Sequence, residues 1–196
     1  MPRYVALLRA INVGGHVVRM EQLRDVFSGL GFSNVETFIA SGNVLFSSPE
    51  TDVEALERRA ESGLRRALGY DVATFIRTPE QLRAIAGHRP FAQEPAKGEG
   101  TVYIISLKQP LTAAARRQML ALATPDDEFA CKGAEVFWCR RGNLLDSTVS
   151  GPEMGKVLGA LTTMRNRNTI VRLVDRFGRS AAAEAPAGKQ RKKEQS

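Results

Sequence analysis

The sequence predicts an α+β fold, a tandem pair of ferredoxin-like (βαββαβ) halves, the second diverged with helices at its C-terminal end. Three observations point there. Short apolar runs alternate with segments of helical spacing. Over residues 1–78 the order of these segments is strand-helix-strand-strand-helix-strand. Residues 101–179 then begin the same way, after a helix and a Pro- and Gly-rich linker at 79–100. Residues 180–196 form a basic tail of Ala, Pro, Gly and Lys that cannot bury a core and is expected to be disordered.

Residues 4–11 read as the first strand, ending in a turn at Asn12, Val13, Gly14 and Gly15. Met20, Leu23, Val26, Phe27 and Leu30 recur at helical spacing, and Gly31 stands where a C-terminal cap belongs. Residues 35–40 and 44–47 are strands joined by Ser41, Gly42 and Asn43 as a tight hairpin loop. A long helix over 52–68 starts at Asp52 and stops before Gly69. On it Glu54 precedes Arg58, and Glu61 precedes Arg65, by four residues, the spacing of exposed helix ion pairs. Residues 72–77 close the first half as a strand, and Thr78-Pro79-Glu80 opens a short helix to about residue 86.

In the second half 101–107 is a strand, 111–122 a helix and 128–140 a hairpin turning at Gly133-Ala134. Helices follow at about 153–161 and 169–177, with the final strand replaced by helix. Ile170, Leu173, Val174 and Phe177 make one buried stripe. The hairpin register pairs Cys131 with Val136 and Glu128 with Cys139. Phe129, Cys131, Val136 and Trp138 then share one face; Ala130, Phe137 and Cys139 share the other. Thiols on opposite faces cannot bridge, which suits a reducing, cytoplasmic setting.

Composition narrows the function. With 43% hydrophobic and 25% charged residues and a net charge of +7, the chain is neither disordered throughout nor of low complexity. The apolar run from Val5 to Leu8 stops at Arg9, far short of a membrane span, so no membrane association is expected. His16, His88, Cys131 and Cys139 lack the spacing of a zinc site; neither a metal nor a cofactor is expected. Gly14-Gly15-His16 is no dinucleotide turn, there is no P-loop, and Ser41-Gly42-Asn43 is no hydrolase elbow. The run Asp126-Asp127-Glu128 reads as a charged turn before a strand.

The stretch from Ala6 through Arg9, Ala10, Ile11 and Asn12 to Gly15, then Met20 to Arg24, Gly31-Phe32 and Val35 to Phe46, resembles a bacterial family catalogued as domain of unknown function 1697. A second match runs from Thr162 to Thr169, and the likeness extends to about Phe177. Ala10 replaces the glycine usual after Arg9, and Arg167 stands where an aromatic residue is common. The resemblance implies two ferredoxin-like halves and brings no activity with it.

In a ferredoxin-like sheet the end of strand one and the tip of the strand two–three hairpin share one end. That gathers Arg9, Asn12 and the Gly14-Gly15 backbone near Ser41, Gly42 and Asn43, donors suited to an anion. Turn chemistry alone accounts for much of this Gly and Asn content. The second candidate is Arg165, Asn166, Arg167, Asn168 and Thr169, leading into a helix capped by Asn168 or Thr169. The leading expectation is a binding module for an anionic small molecule or nucleic-acid phosphate. It would use Arg9, Asn12, Gly14, Gly15, Ser41, Asn43, Arg165, Asn166, Asn168 and Thr169. Its rivals are an enzyme on a phosphorylated or carboxylated substrate, with Asp146 as base, and a homodimeric scaffold presenting Trp138 or Phe137.

Overall fold

In the computed structural model, Tyr4 to Leu8 are buried on both faces of strand β1 (Arg3–Leu8), which explains why that strand is apolar without alternation. Residues 1–12, 17–39, 42–96, 98–149 and 151–184 are described, with side chains up to 178. Tyr4, Ala6 and Leu8 face helices α1 (Met20–Gly29) and α2 (Val53–Leu68), where Leu23, Phe27, Leu56 and Leu64 complete a core. Val5 and Leu7 face the other way, toward the second half. Strands β2 (Ser33–Thr37), β3 (Asn43–Ser47) and β4 (Thr74–Arg77) complete an antiparallel sheet of order β2-β3-β1-β4.

The second sheet has the matching order β6-β7-β5-β8, from β5 (Gly100–Ser106), β6 (Asp127–Lys132), β7 (Glu135–Arg141) and β8 (Thr163–Asn166). Its outer face packs on α4 (Ala113–Leu120) and α5 (Gly151–Leu158). Between the two sheets lie α3 (Pro79–Gly87) and α6 (Arg167–Glu184), whose Leu82, Ile85, Ile170, Leu173 and Phe177 meet Phe75 and Phe137. The described chain is thus a mixed α/β fold of two four-stranded antiparallel sheets and six α-helices.

Local chemistry sets the element ends. Asp52 caps α2 by accepting from Glu54 N–H, and Gly69 closes it in the left-handed region. Thr78 and Gln81 form a capping box on α3. The 128–140 hairpin has the expected register, Cys131 opposite Val136 and Glu128 opposite Cys139. Both cysteines are free.

Several expectations need correction. The final strand of the second half, expected to be replaced by helix, is present as Thr163–Asn166, paired antiparallel with β5. Its sequence has no apolar alternation because two of its side chains, Thr163 and Arg165, bond to the first half. Helix α6 begins at Arg167 and runs to Glu184, past the expected start of the tail; residues 185–196 lie outside the described residues. Strand β1 ends at Leu8 because Ala10 turns to a positive φ of 50°. Strand β2 ends at Thr37 rather than at residue 40, as Ile39 takes a positive φ, 57°, and Phe38 N–H bonds Asn43 O. Arg65 pairs with Asp71 and Glu61 with Lys108, so the expected Glu61–Arg65 pair is not made, whereas Glu54–Arg58 is.

Candidate functional site

The exit of β1 lies against the first hairpin. Leu8 N–H donates to Gly42 O at 2.8 Å, and a Cβ at Gly42 would sit 2.8 Å from Ile11 Cγ2, so a side chain there has no room. Asn43 starts β3 fully buried, its Nδ2 donating to Phe38 O at 3.0 Å. Arg165 reaches it from β8, across the seam between halves. Its Nε donates to Asn43 Oδ1 (2.8 Å) and its Nη2 to Leu8 O (2.9 Å) and Gly42 O (3.3 Å). Its Nη1 donates to Thr163 Oγ1 and Met164 O, both at 2.9 Å. A guanidinium has five N–H donors, and these acceptors match them. Burial lowers the Arg165 pKa to about 10, which leaves it charged at neutral pH.

The remaining predicted residues have mostly local roles. Asn12 is exposed, but its Oδ1 accepts Val18 N–H at 2.8 Å, just ahead of α1. Asn166, rather than Asn168 or Thr169, caps α6, by accepting Thr169 N–H at 2.8 Å; it is the residue preceding the first helical one, Arg167. Asn168 is exposed and Thr169 half-buried. Arg9 is exposed, and among the described residues only its backbone, donating to Ala73 O, is engaged. Gly14, Gly15, His16 and Ser41 lie outside the described residues. Buried Arg167 pairs with Glu94 and donates to His88 O, tying the linker to α6.

Asp127 is buried and accepts from Trp138 Nε1, Arg140 Nη1, Ser147 Oγ and Thr124 Oγ1, a structural network. Asp146 is exposed on the short helical turn Leu144–Asp146. Trp138 and Phe137 are 2% and 1% exposed, under α4–α5 and between the sheets, so neither is presented to a partner.

A second cluster, absent from the sequence reading, forms where the edge strand β4 faces the second half. Thr74 and Ile76 donate their N–H groups to Glu61 Oε1 and Glu57 Oε1, both at 2.9 Å. The two carboxylates of α2 thereby cover a strand edge that would otherwise bear unpaired groups. Lys108 approaches Glu61 Oε1 at 2.6 Å and Glu57 Oε2 at 3.6 Å. Beside them Arg77 Nε donates to Glu135 Oε1 at 2.7 Å and its Nη2 to Leu107 O at 2.6 Å. Glu57, Arg77 and Glu135 are buried charges, a pattern common at functional sites. The partners lie 47 and 58 residues apart, and no local spacing signals them.

Burial pushes the Glu57 carboxyl above its ordinary value, against the opposing pull of the Ile76 N–H, Lys108 and Arg77. The folded state therefore holds this proton more tightly than the unfolded chain. Between the raised value and the ordinary 4.5, stability rises as pH falls; well above that window the contribution is absent. Urea unfolding at a series of pH values should show this gain in the wild type and lose it in Glu57→Gln, which cannot titrate.

Two clefts flank the cluster. The larger, about 790 Å³, runs between the halves, with Val72, Leu107, Leu111, Ala115, Leu158 and Leu161 on its walls. Lys108, Glu61 and Asp71 supply its charged groups. The smaller, about 350 Å³, lies on the other side of Lys108, against Glu57, Arg77 and Glu135. Among the described residues no group of three or more His, Cys, Asp or Glu could hold a metal ion. No described helix is long and apolar enough to cross a membrane.

Comparison with known proteins matches residues 1–137 to the family described as "Protein of unknown function (DUF1697)". No curated protein matches the chain. Among solved structures it is similar to the conserved bacterial protein SP0830 from Streptococcus pneumoniae, at 21% identity and a TM-score of 0.68, over 91% of this chain and 99% of that one. At that identity the likeness speaks for the fold alone.

Proposed function

The chain belongs to the DUF1697 family of proteins of unknown function, and from that premise we propose that it is a binding protein for a small amphipathic molecule. The ligand lies in the 790 Å³ cleft between the halves, its apolar body on Leu111, Ala115, Leu158 and Leu161 and its polar head on the Lys108–Glu61 pair. The single observation that carries this reading is the cleft itself: a large, mainly apolar concavity closed at one side by convergent charged groups, the usual form of a small-molecule site. Leu161 is 57% exposed there, an apolar surface that a ligand would cover.

The test uses fluorescent naphthalene probes bearing alcohol, carboxylate or aminomethyl heads. At least one should bind, and Ala115→Trp, which fills the cleft, should weaken it by about tenfold or more, a loss near 1.4 kcal/mol. Unchanged affinity in that variant contradicts the reading.

The anionic-ligand reading keeps a narrower basis: the exposed, unengaged guanidinium of Arg9 among the described residues, and the net charge of +7. A nucleic-acid ligand there would bind with log K falling as log salt rises. Single-stranded DNA titrations at several salt concentrations should show that slope and its reduction in Arg9→Ala; a flat plot removes this reading.

We also read the halves as diverged ferredoxin-like copies, a reading supported by the like order of elements and the strand orders 2-3-1-4 and 6-7-5-8. The two free thiols support a cytoplasmic setting.

A further inference from the structure

The smaller cleft differs from the larger in the balance of its charges. Glu54, Glu57 and Glu135 line it together with Arg77, Lys108 and Lys132, so three acids meet three bases. In the larger cleft Glu61 and Asp71 outnumber Lys108. Three of the six are largely withdrawn from water: the side chains of Glu57, Arg77 and Glu135 are 5%, 6% and 11% exposed. Several valences stay open. Among the described residues Glu57 Oε2 accepts no hydrogen bond, and its ion-pair partner Lys108 Nζ lies at 3.6 Å, too long for one. Glu135 Oε2 accepts no hydrogen bond among the described residues, since Arg77 Nε uses Oε1. Lys132 is exposed and has no ion pair among them.

Position sorts these groups. Lys132 and Glu135 are cross-strand partners at the end of the β6–β7 hairpin, which puts a cation and an anion side by side, about 5 Å apart at Cβ. Glu57 lies deeper, on α2. Apolar surface completes the cleft through Val53, Ile85, Ala134 and Phe137. A volume of about 350 Å³ is at the small end for ligand sites.

We propose that this cleft is a binding site for a small zwitterion of the free amino-acid class with an aliphatic side group, its ammonium held by Glu57 and Glu135 and its carboxylate by Lys132. The site is separate from the larger cleft and does not depend on the function assigned to it. A ligand carrying both charges keeps the lining balanced at three acids and three bases, whereas a molecule with one charge adds an uncompensated charge to the cleft.

Isothermal titration of the full chain with L-leucine, 4-methylpentanoate and 3-methylbutylamine tests this, since the last two each lack one of leucine's charges. Leucine should bind, and each analogue about tenfold more weakly or worse. Lys132→Ala, an exposed substitution that spares the fold, should weaken leucine severalfold and leave the amine unaffected. Ala115→Trp, which blocks only the larger cleft, should leave leucine binding intact, so failure of one site is distinguishable from failure of the other. Absence of leucine binding, equal binding of either analogue, or indifference to Lys132→Ala overturns the proposal.

Discussion

Arg165→Met should lower stability by about 2–4 kcal/mol: several hydrogen bonds from a charged donor, about 1.5–3 kcal/mol each, are lost together, while Gly42 O keeps Leu8 N–H and Leu8 O keeps Thr163 Oγ1. Leu8 O, Gly42 O and Asn43 Oδ1 all accept from this one guanidinium across the seam. In a chain of 196 residues that corresponds to a melting temperature lower by roughly 10 °C. Arg165→Lys should restore less than half of it, because an ammonium is a compact donor that cannot span acceptors placed for a planar fork. The measurement separates two roles for the residue. A ligand clamp would lose binding and keep its stability; the tie between halves loses stability with or without a ligand.

Arg77→Met should cost a similar amount, about 3–5 kcal/mol, by leaving Glu135 charged and buried without its cation. Leu107 O loses its donor as well. The double variant Arg77→Met/Glu135→Leu should recover most of the loss, since an apolar pair replaces a buried ion pair at little net cost. Chemical unfolding of the four proteins gives the coupling directly. Additive losses would show that the two side chains act separately.

The parts of this molecule that could be read in the sequence were those set by local pattern. Gly133-Ala134 fixed the hairpin register, and with it the division of Phe129 and Trp138 from Phe137 and Cys139 between two cores. Ile170, Leu173 and Phe177 gave the α6 stripe because a helix with one buried face repeats every three to four residues. Strand β8 was hidden by the same logic: Thr163 and Arg165 turn polar groups toward a polar seam, so no apolar alternation marks it. The seam itself is made of long-range pairs. Glu61 has Arg65 at helical spacing, yet it bonds Lys108 from the other half, and only folding reveals that choice. Likewise Arg165 and Asn43 were both legible as polar candidates, but their direct bond, 122 residues apart in sequence, was not.

The cleft between halves is the proposed ligand site. Two-dimensional amide NMR of the isotope-labelled chain, titrated with the tightest naphthalene probe, locates that place directly. Shift changes should concentrate at Leu107, Lys108, Ala115, Leu158 and Leu161 and vanish in Ala115→Trp. Changes centred on Arg9 and Asn43 instead, or a pattern indifferent to that substitution, would contradict it.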